Sequence, residues 1–443
     1  MKSVKFFSLF MFCLGIFLAF TPPSHGESPI EYIDISNPFL RKIPLAVPWF
    51  KNVAQNEAGA ALSTELADLL SDTLEFTGYF KVLDRSAFLT DPKNPAVLAT
   101  EINFRNWTSI GTEMLVTGGI TVSEGTFELE LRLFDTVEGS MMIGKRYRGR
   151  VEDRKAIIRR FCEEVMLHLT GSRGMFNSKI ALVSSIGGKK EIYICDFDGT
   201  EIRQFTHHEN ISLFPAWSAD LKWIAYTSYI GGQPDLYIQN VTGEKRFTLD
   251  KKGIQITPAW TPGKFELAAT LSFSGDQEIY LLTGEGKIIK RLTYSRGTDV
   301  EPTWAPDGKS IAFVSKRSGT PQVYIKELKS GRVRRLTFNG RYNTQPSWSP
   351  KGDKIAYSAM NNGGIDICTI KTDGSQWTQL TENQGDNESP SWSPDGSLIA
   401  FSSTREGRSK LYVMTAFGTD QRRLLSLPGE QTDPNWSPNL ISK

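Results

Sequence analysis

Over the C-terminal part of the chain, apolar residues come in short runs bounded by Gly, Pro, Asp or Ser, either alternating with polar residues or continuous for a few positions. Such runs predict strands, not helices. They also fall into columns. An apolar-Ala pair recurs at Ile180-Ala181, Ile224-Ala225, Leu267-Ala268, Ile311-Ala312, Ile355-Ala356 and Ile399-Ala400. A second column holds Tyr193, Tyr237, Tyr280, Tyr324, Cys368 and Tyr412, and a third Phe205, Phe247, Leu292, Leu336, Leu380 and Leu424. The fourth is a P-x-W frame ending at Trp217, Trp260, Trp304, Trp348, Trp392 and Trp436, each 43 or 44 residues after the one before.

A repeat of that length exceeds a hairpin and falls short of a domain, so each unit buries its apolar face against its neighbours. Four strands in each of six units predict a six-bladed β-propeller, whose radial repetition leaves only short edges. The order of the columns adds a further expectation. No P-x-W strand precedes Ile180, and no unit follows Pro434 to Trp436, so the C-terminal strand closes the first blade. The turns agree: Ala305-Pro306-Asp307-Gly308 and Ser393-Pro394-Asp395-Gly396 follow tryptophans, with proline presetting φ and glycine accepting a positive one. Asp198-Gly199, Thr242-Gly243, Ser330-Gly331 and Asp373-Gly374 mark a second hairpin in most units.

Before the repeats the period changes. Residues 43–50 and 80–83 read as strands, and between them Leu62, Leu66, Leu69, Leu70 and Leu74 keep helical spacing until Gly78, which makes a β-α-β unit. Three more strands are expected over 114–122, 127–134 and 141–148. A second helix carries Ile157, Ile158, Phe161, Val165 and Leu169 on one stripe and stops before Gly171. The fold class is therefore a two-domain chain, a small N-terminal α/β domain over 27–174 followed by an all-β, six-bladed propeller over 175–443.

The first residues read as an export signal. Lys2 and Lys5 precede an apolar run over 6–20, and Ser24-His25-Gly26 offers small residues at a cleavage site after Gly26. The run is short for a membrane span. Cys13 has a poor lipidation context. Without residues 1–26 the chain holds 49 Lys plus Arg against 49 Asp plus Glu, a balance that gives no support for nucleic-acid binding. Three cysteines remain, Cys162, Cys195 and Cys368, odd in number and widely spaced, so no disulfide framework is implied. No cofactor and no structural metal is expected.

Catalytic signatures are missing from the sequence: there is no G-x-S-x-G, no G-x-x-x-x-G-K-[ST], no G-x-G-x-x-G and no H-E-x-x-H. His207, His208 and Glu209 form one cluster of metal-ligand types, and they fall in a loop between blades. The loops that enter each P-x-W strand come round to one face and line the mouth of the central channel, the best candidate site on such a scaffold. They span 254–257, 298–301, 341–345, 386–389 and 432–433.

The P-x-W-S-P-D-G repeats stand together with the phrases Thr77-Gly78-Tyr79-Phe80-Lys81-Val82-Leu83-Asp84, Phe104-Arg105-Asn106-Trp107, Leu131-Arg132-Leu133-Phe134-Asp135 and Leu169-Thr170-Gly171. This combination resembles the TolB family, periplasmic components of the Tol-Pal system of Gram-negative bacteria. It implies a periplasmic binding protein and not an enzyme, acting in outer-membrane integrity, envelope constriction at cell division and the import of colicins. The implied partners are the lipoprotein Pal, the inner-membrane protein TolA and other outer-membrane proteins. Carried over by position, the Pal-binding face falls on the loops before Pro258, Pro302, Pro346 and Pro390, at Ile254, Thr257, Val300, Glu301, Asn343, Gln345, Glu388 and Ser389. The TolA-binding segment falls on Glu31, Tyr32, Ile33, Asp34 and Ile35, which could add a strand to a partner sheet. Two alternatives stay open. One is an exported hydrolase gated by its propeller. The other is a metal-dependent lactonase whose ligands would come from Asp299, Glu301, Asn343 and Asp433.

Overall fold

A computed structural model describes residues 41–91, 95–123, 125–249, 251–361 and 363–439. The export signal and the segment Glu31 to Ile35 lie outside the described residues.

The N-terminal part is one sheet flanked by helices. Strands β1 (Ile43–Ala46), β2 (Lys51–Asn52), β3 (Phe80–Val82), β4 (Met114–Ser123), β5 (Thr126–Asp135) and β6 (Ser140–Arg150) are ordered β3-β1-β4-β5-β6, with β2 beside β4. β1 runs parallel to β3, joined through helix α1 (Glu57–Phe76), which is the expected β-α-β unit. β1 is shorter than its apolar run suggests. Pro48 has no N–H to donate to the ladder, and the chain turns there before Trp49 and Phe50 rejoin the core.

Asn56 caps α1, its side chain accepting from the Gly59 N–H at 2.7 Å. Leu62, Leu66, Leu70 and Leu74 of α1 share one core with Ile158, Phe161, Val165 and Leu169 of α3 (Arg154–Thr170) on one face of the sheet. A shorter helix, α2 (Phe104–Ser109), closes the other face by seating Trp107 on Ala46, Leu115 and Phe134. The apolar period misses it because six residues give less than two turns. Gly118 of β4 lies under Phe50, where a Cβ would come within 2.7 Å of the ring.

From residue 179 onward six four-stranded antiparallel sheets follow, five of them built from consecutive strands. The sixth joins Gln431–Trp436 to Lys179–Ser184, with Trp436 opposite Ile180 and Gln431 opposite Ser184, so the C-terminal strand closes the first blade. The P-x-W strands touch one another in sequence round the ring and from last to first, which makes them the innermost strand of every blade.

The tryptophans pack blade to blade. The indoles of Trp260, Trp304 and Trp392 donate to the carbonyls of Ala216, Ala259 and Ser347 on the preceding inner strand at 3.0–3.1 Å. Trp436 donates to Ser178 Oγ at 2.8 Å, whereas Trp348 turns to its own Gly352 carbonyl. One column shifts. Counted from the tyrosines, the second blade's member is Leu249, whose N–H donates to Leu236, and not Phe247. Arg246-Phe247-Thr248 imitates the basic-apolar-threonine phrase of the other blades, but Phe247 stacks on Trp223 instead.

The N-terminal sheet sits on the hairpin-turn face of the propeller, over its first and last blades. Phe76 at the end of α1 meets Phe197 edge-on at 5.3 Å, and Arg422 donates to the Phe76 carbonyl. Arg159 of α3 bonds Asp196 at 2.8 Å, and Lys179 reaches the same carboxylate at 2.6 Å. One apolar core runs through both parts.

Candidate functional site

Each inner strand carries the same distortion. The ladder slips by a bulge at the proline and the residue before it, and the residue just before proline takes a left-handed φ near +50°. These residues are Phe214, Thr257, Glu301, Gln345, Ser389 and Asp433. An L-residue at such φ costs about 1–2 kcal/mol, so six repeats of it are a feature of the architecture. The bulge turns two successive side chains per blade toward the axis, and all twelve are half-buried. One arc of the channel is apolar, with Leu213, Phe214, Ile256 and Val300. The other is polar and acidic, with Glu301, Gln345, Glu388, Ser389 and Asp433.

The pre-proline side chains link blade to blade. Glu301 Oε2 accepts from the Gln345 N–H at 2.6 Å, Gln345 Oε1 accepts from the Ser389 N–H at 3.0 Å, and Ser389 Oγ donates to Asp433 at 3.2 Å. Water reaches the acids from one side only, since protein surrounds them elsewhere. Burial therefore pushes Glu301, Glu388 and Asp433 above the usual carboxylate range; repulsion from Asp433 and Glu388 raises Glu301 further, and repulsion from Asp386 and Asp433 raises Glu388.

Of the eight positions expected at the channel mouth, Thr257, Val300, Glu301, Gln345, Glu388 and Ser389 fall in this belt. Ile254 lies on the rim, exposed at the mouth. Asn343 differs: it is fully buried, its amide donating to Gln322 Oε1 and the Asn339 carbonyl, so its side chain is not open to a partner. It stands two residues before the left-handed position of its blade, as Asp299 does, and Asp299 is likewise buried and bonded by Arg317 at 2.7 Å. Those two are thereby committed inside the blades, which leaves Glu301 and Asp433 from the lactonase set facing the channel. Among the described residues no group of three His, Cys, Asp or Glu side chains converges as metal ligands. His208 turns inward to Ser228 Oγ at 2.8 Å.

Leu213, Phe214, Ile256, Thr344, Thr432 and Asp433 complete the lining. The loops ahead of the belt are pinned from below by a buried pairing that the sequence reading missed. Thr293 donates to Glu278, Thr337 to Gln322 and Thr381 to Asp366 at 2.6–2.8 Å, and Thr206 does the same to Glu191. The second oxygen of Glu191 and of Glu278 then accepts the N–H of Glu209 and Ser295 in the loop. An acid or amide two residues before the tyrosine column, with threonine after the leucine column, is the signal that finds them.

The face these loops form lies at the opposite end of the strands from the N-terminal sheet, and it is rich in exposed apolar side chains. Tyr294 and Phe338 are 70% and 71% exposed, and Ile230, Ile254, Phe273 and Tyr342 are 37–44% exposed. Such a density on one face exceeds the scattered apolar exposure of an ordinary surface.

A family model described as the TolB beta propeller domain matches residues 166–440, and one described as the TolB amino-terminal domain matches 31–142. The Tol-Pal system protein TolB of Desulfosudis oleivorans is 56% identical over 267 residues, 60% of this chain and 61% of that protein. The protein TolB homolog of Chlorobium chlorochromatii is 45% identical over 267 residues, 60% of each. These matched stretches thus span about 60% of those relatives' length. The crystal structure of TolB from Acinetobacter baumannii superposes with a TM-score of 0.78 at 26% identity, covering 90% of this chain and 97% of that one. With its propeller, its N-terminal sheet and its repeat all matched in this way, the chain belongs to the TolB family.

Proposed function

We propose that this chain is a non-enzymatic, periplasmic docking protein of the Tol-Pal system, with two parts, 27–174 and 175–443. Its open propeller face holds the lipoprotein Pal. The observation that carries this reading is the pairing of an apolar rim with a polar channel mouth on the face turned away from the N-terminal sheet. A protruding partner segment would bury Tyr294 and Phe338 at the rim and reach the belt at Glu301, Gln345 and Ser389. Because that belt is hydrogen-bonded from blade to blade, it presents a preformed surface, which lowers the ordering cost of binding.

A propeller-gated hydrolase would need a second catalytic layer. The N-terminal sheet offers a β-α-β unit and an antiparallel meander in its place. TolA is assigned by the same reading to the segment Glu31 to Ile35, as an added strand, and the cellular outcome is outer-membrane integrity and constriction at division. A retention experiment tests the Pal assignment. Immobilised wild-type chain should retain Pal from periplasmic extract, and a Glu301→Lys, Gln345→Glu double variant that melts normally should not. Equal retention by both places the site elsewhere.

A further inference from the structure

The last strand in the order of the N-terminal sheet, β6, is also its longest. β6 pairs with β5 along one edge, and among the described residues no strand lies on its other edge. The exposed edge is strongly basic. Lys145, Arg146, Arg148 and Arg150 follow within six positions, and Arg160 of α3 stands over them. Residues Lys145, Arg146, Tyr147, Arg148, Arg160 and Glu164 enclose a cleft of about 370 Å³ between the strand edge and α3.

The charge in this cleft is unbalanced. Glu164, its one acid, is already shared by Lys145 at 3.2 Å and Arg173 at 3.3 Å. Arg146 leans on Glu128 and Glu130 at 3.5 Å. Arg148 and Arg160 have no ion pair among the described residues, and the Tyr147 hydroxyl is buried without a hydrogen-bond partner. Alternation along β6 places Arg146 and Arg148 on one face of the sheet and Lys145 and Tyr147 on the other. A strand laid along this edge would meet cations with its side chains on either face.

Lysine and arginine on an edge strand repel indiscriminate pairing. The same charges leave the edge open to an acidic strand. We propose that the free edge of β6 takes an extended acidic segment of a partner protein by strand addition, with carboxylates on Arg148 and Arg160. Main-chain bonds to the edge supply affinity, and the cations choose the sequence. This site is separate from the propeller face and stands or falls independently of it.

The test uses residues 27–443 and a fluorescein-labelled eight-residue peptide in which pairs of Glu alternate with a Val-Thr pair, so that carboxylates stand on both faces of the added strand, read by anisotropy. Two further probes are a peptide of equal charge with prolines in place of the valines and vesicles of phosphatidylglycerol. The alternating peptide should bind, with amide exchange slowed over 144–150. Arg148→Glu with Arg160→Glu, or the paired Gln variants if charge reversal disturbs melting, should weaken it about tenfold or more, as should the prolines. Equal binding of the proline peptide, displacement by the vesicles, or unchanged affinity of both paired variants would overturn the proposal.

Discussion

Removing residues 431–443 should unfold the propeller, because the first blade borrows its inner strand from the C-terminus. Trp436 is 6% exposed, lies in the shared core and donates its indole N–H to Ser178. Truncating a buried tryptophan of this kind costs about 3–5 kcal/mol. The deletion also removes Gln431, which is fully buried and whose amide donates to the Pro428 and Gly429 carbonyls, and it strips the ladder from Lys179–Ser184. Asn435 and Ser391 link Trp217 and Trp436 to neighbouring blades at 3.0 and 2.8 Å, so the ring opens on both sides of the gap. The summed loss reaches the about 5–15 kcal/mol that hold a domain folded. Calorimetry of the deletion variant beside Trp436→Phe separates the effects: the deletion should show no cooperative propeller transition, and the substitution a lowered midpoint. A deletion variant melting like the wild type would refute the closure argument.

Three further outcomes follow from the packing. Glu301→Gln with Asp433→Asn should flatten the acid limb of stability: both acids bind protons more tightly folded than unfolded, so they cost stability as pH rises from below the ordinary values of 4.5 and 3.8 through their raised ones, and pH-dependent melting reads this as a midpoint about 1–2 °C higher at neutral pH. Asp196 is the opposite case. Burial raises it, but Lys179 and Arg159 hold it below the usual range, so its contribution is complete above 3.8 and fades as pH falls through the lowered value; Arg159→Met, which leaves Lys179 on the carboxylate, should cost about 1.5–3 kcal/mol at neutral pH in urea titrations. Gly118→Ala, by crowding Phe50, should destabilise the N-terminal sheet by about 1–3 kcal/mol in the same assay.

The propeller was legible because every blade meets its neighbour through the same residues, so the packing repeats in the sequence with the chain. The tryptophans and apolar-Ala pairs carry that repeat directly. The channel belt was legible in part: proline marks its position in all six blades, but the left-handed residue before it runs against the usual preference of that position. Hence the reading found Glu301, Gln345 and Ser389 yet omitted Leu213 and Phe214, whose blade lacks a polar mark there. Asn343 looked like a surface amide and is buried, because positions two residues before the left-handed one point into the loop they brace. Short or interrupted elements were the least visible. α2 has too few residues for a period, and the end of β1 depends on a single proline.

The docking face is tested most directly by amide hydrogen exchange of the full mature chain with and without the soluble periplasmic part of Pal. The account predicts slowed exchange in the loops over 294–298, 338–342 and 384–388, with the hairpin-turn face near Trp377 unchanged. Protection confined to the hairpin-turn face or to the N-terminal sheet, with the loops unchanged, would contradict it.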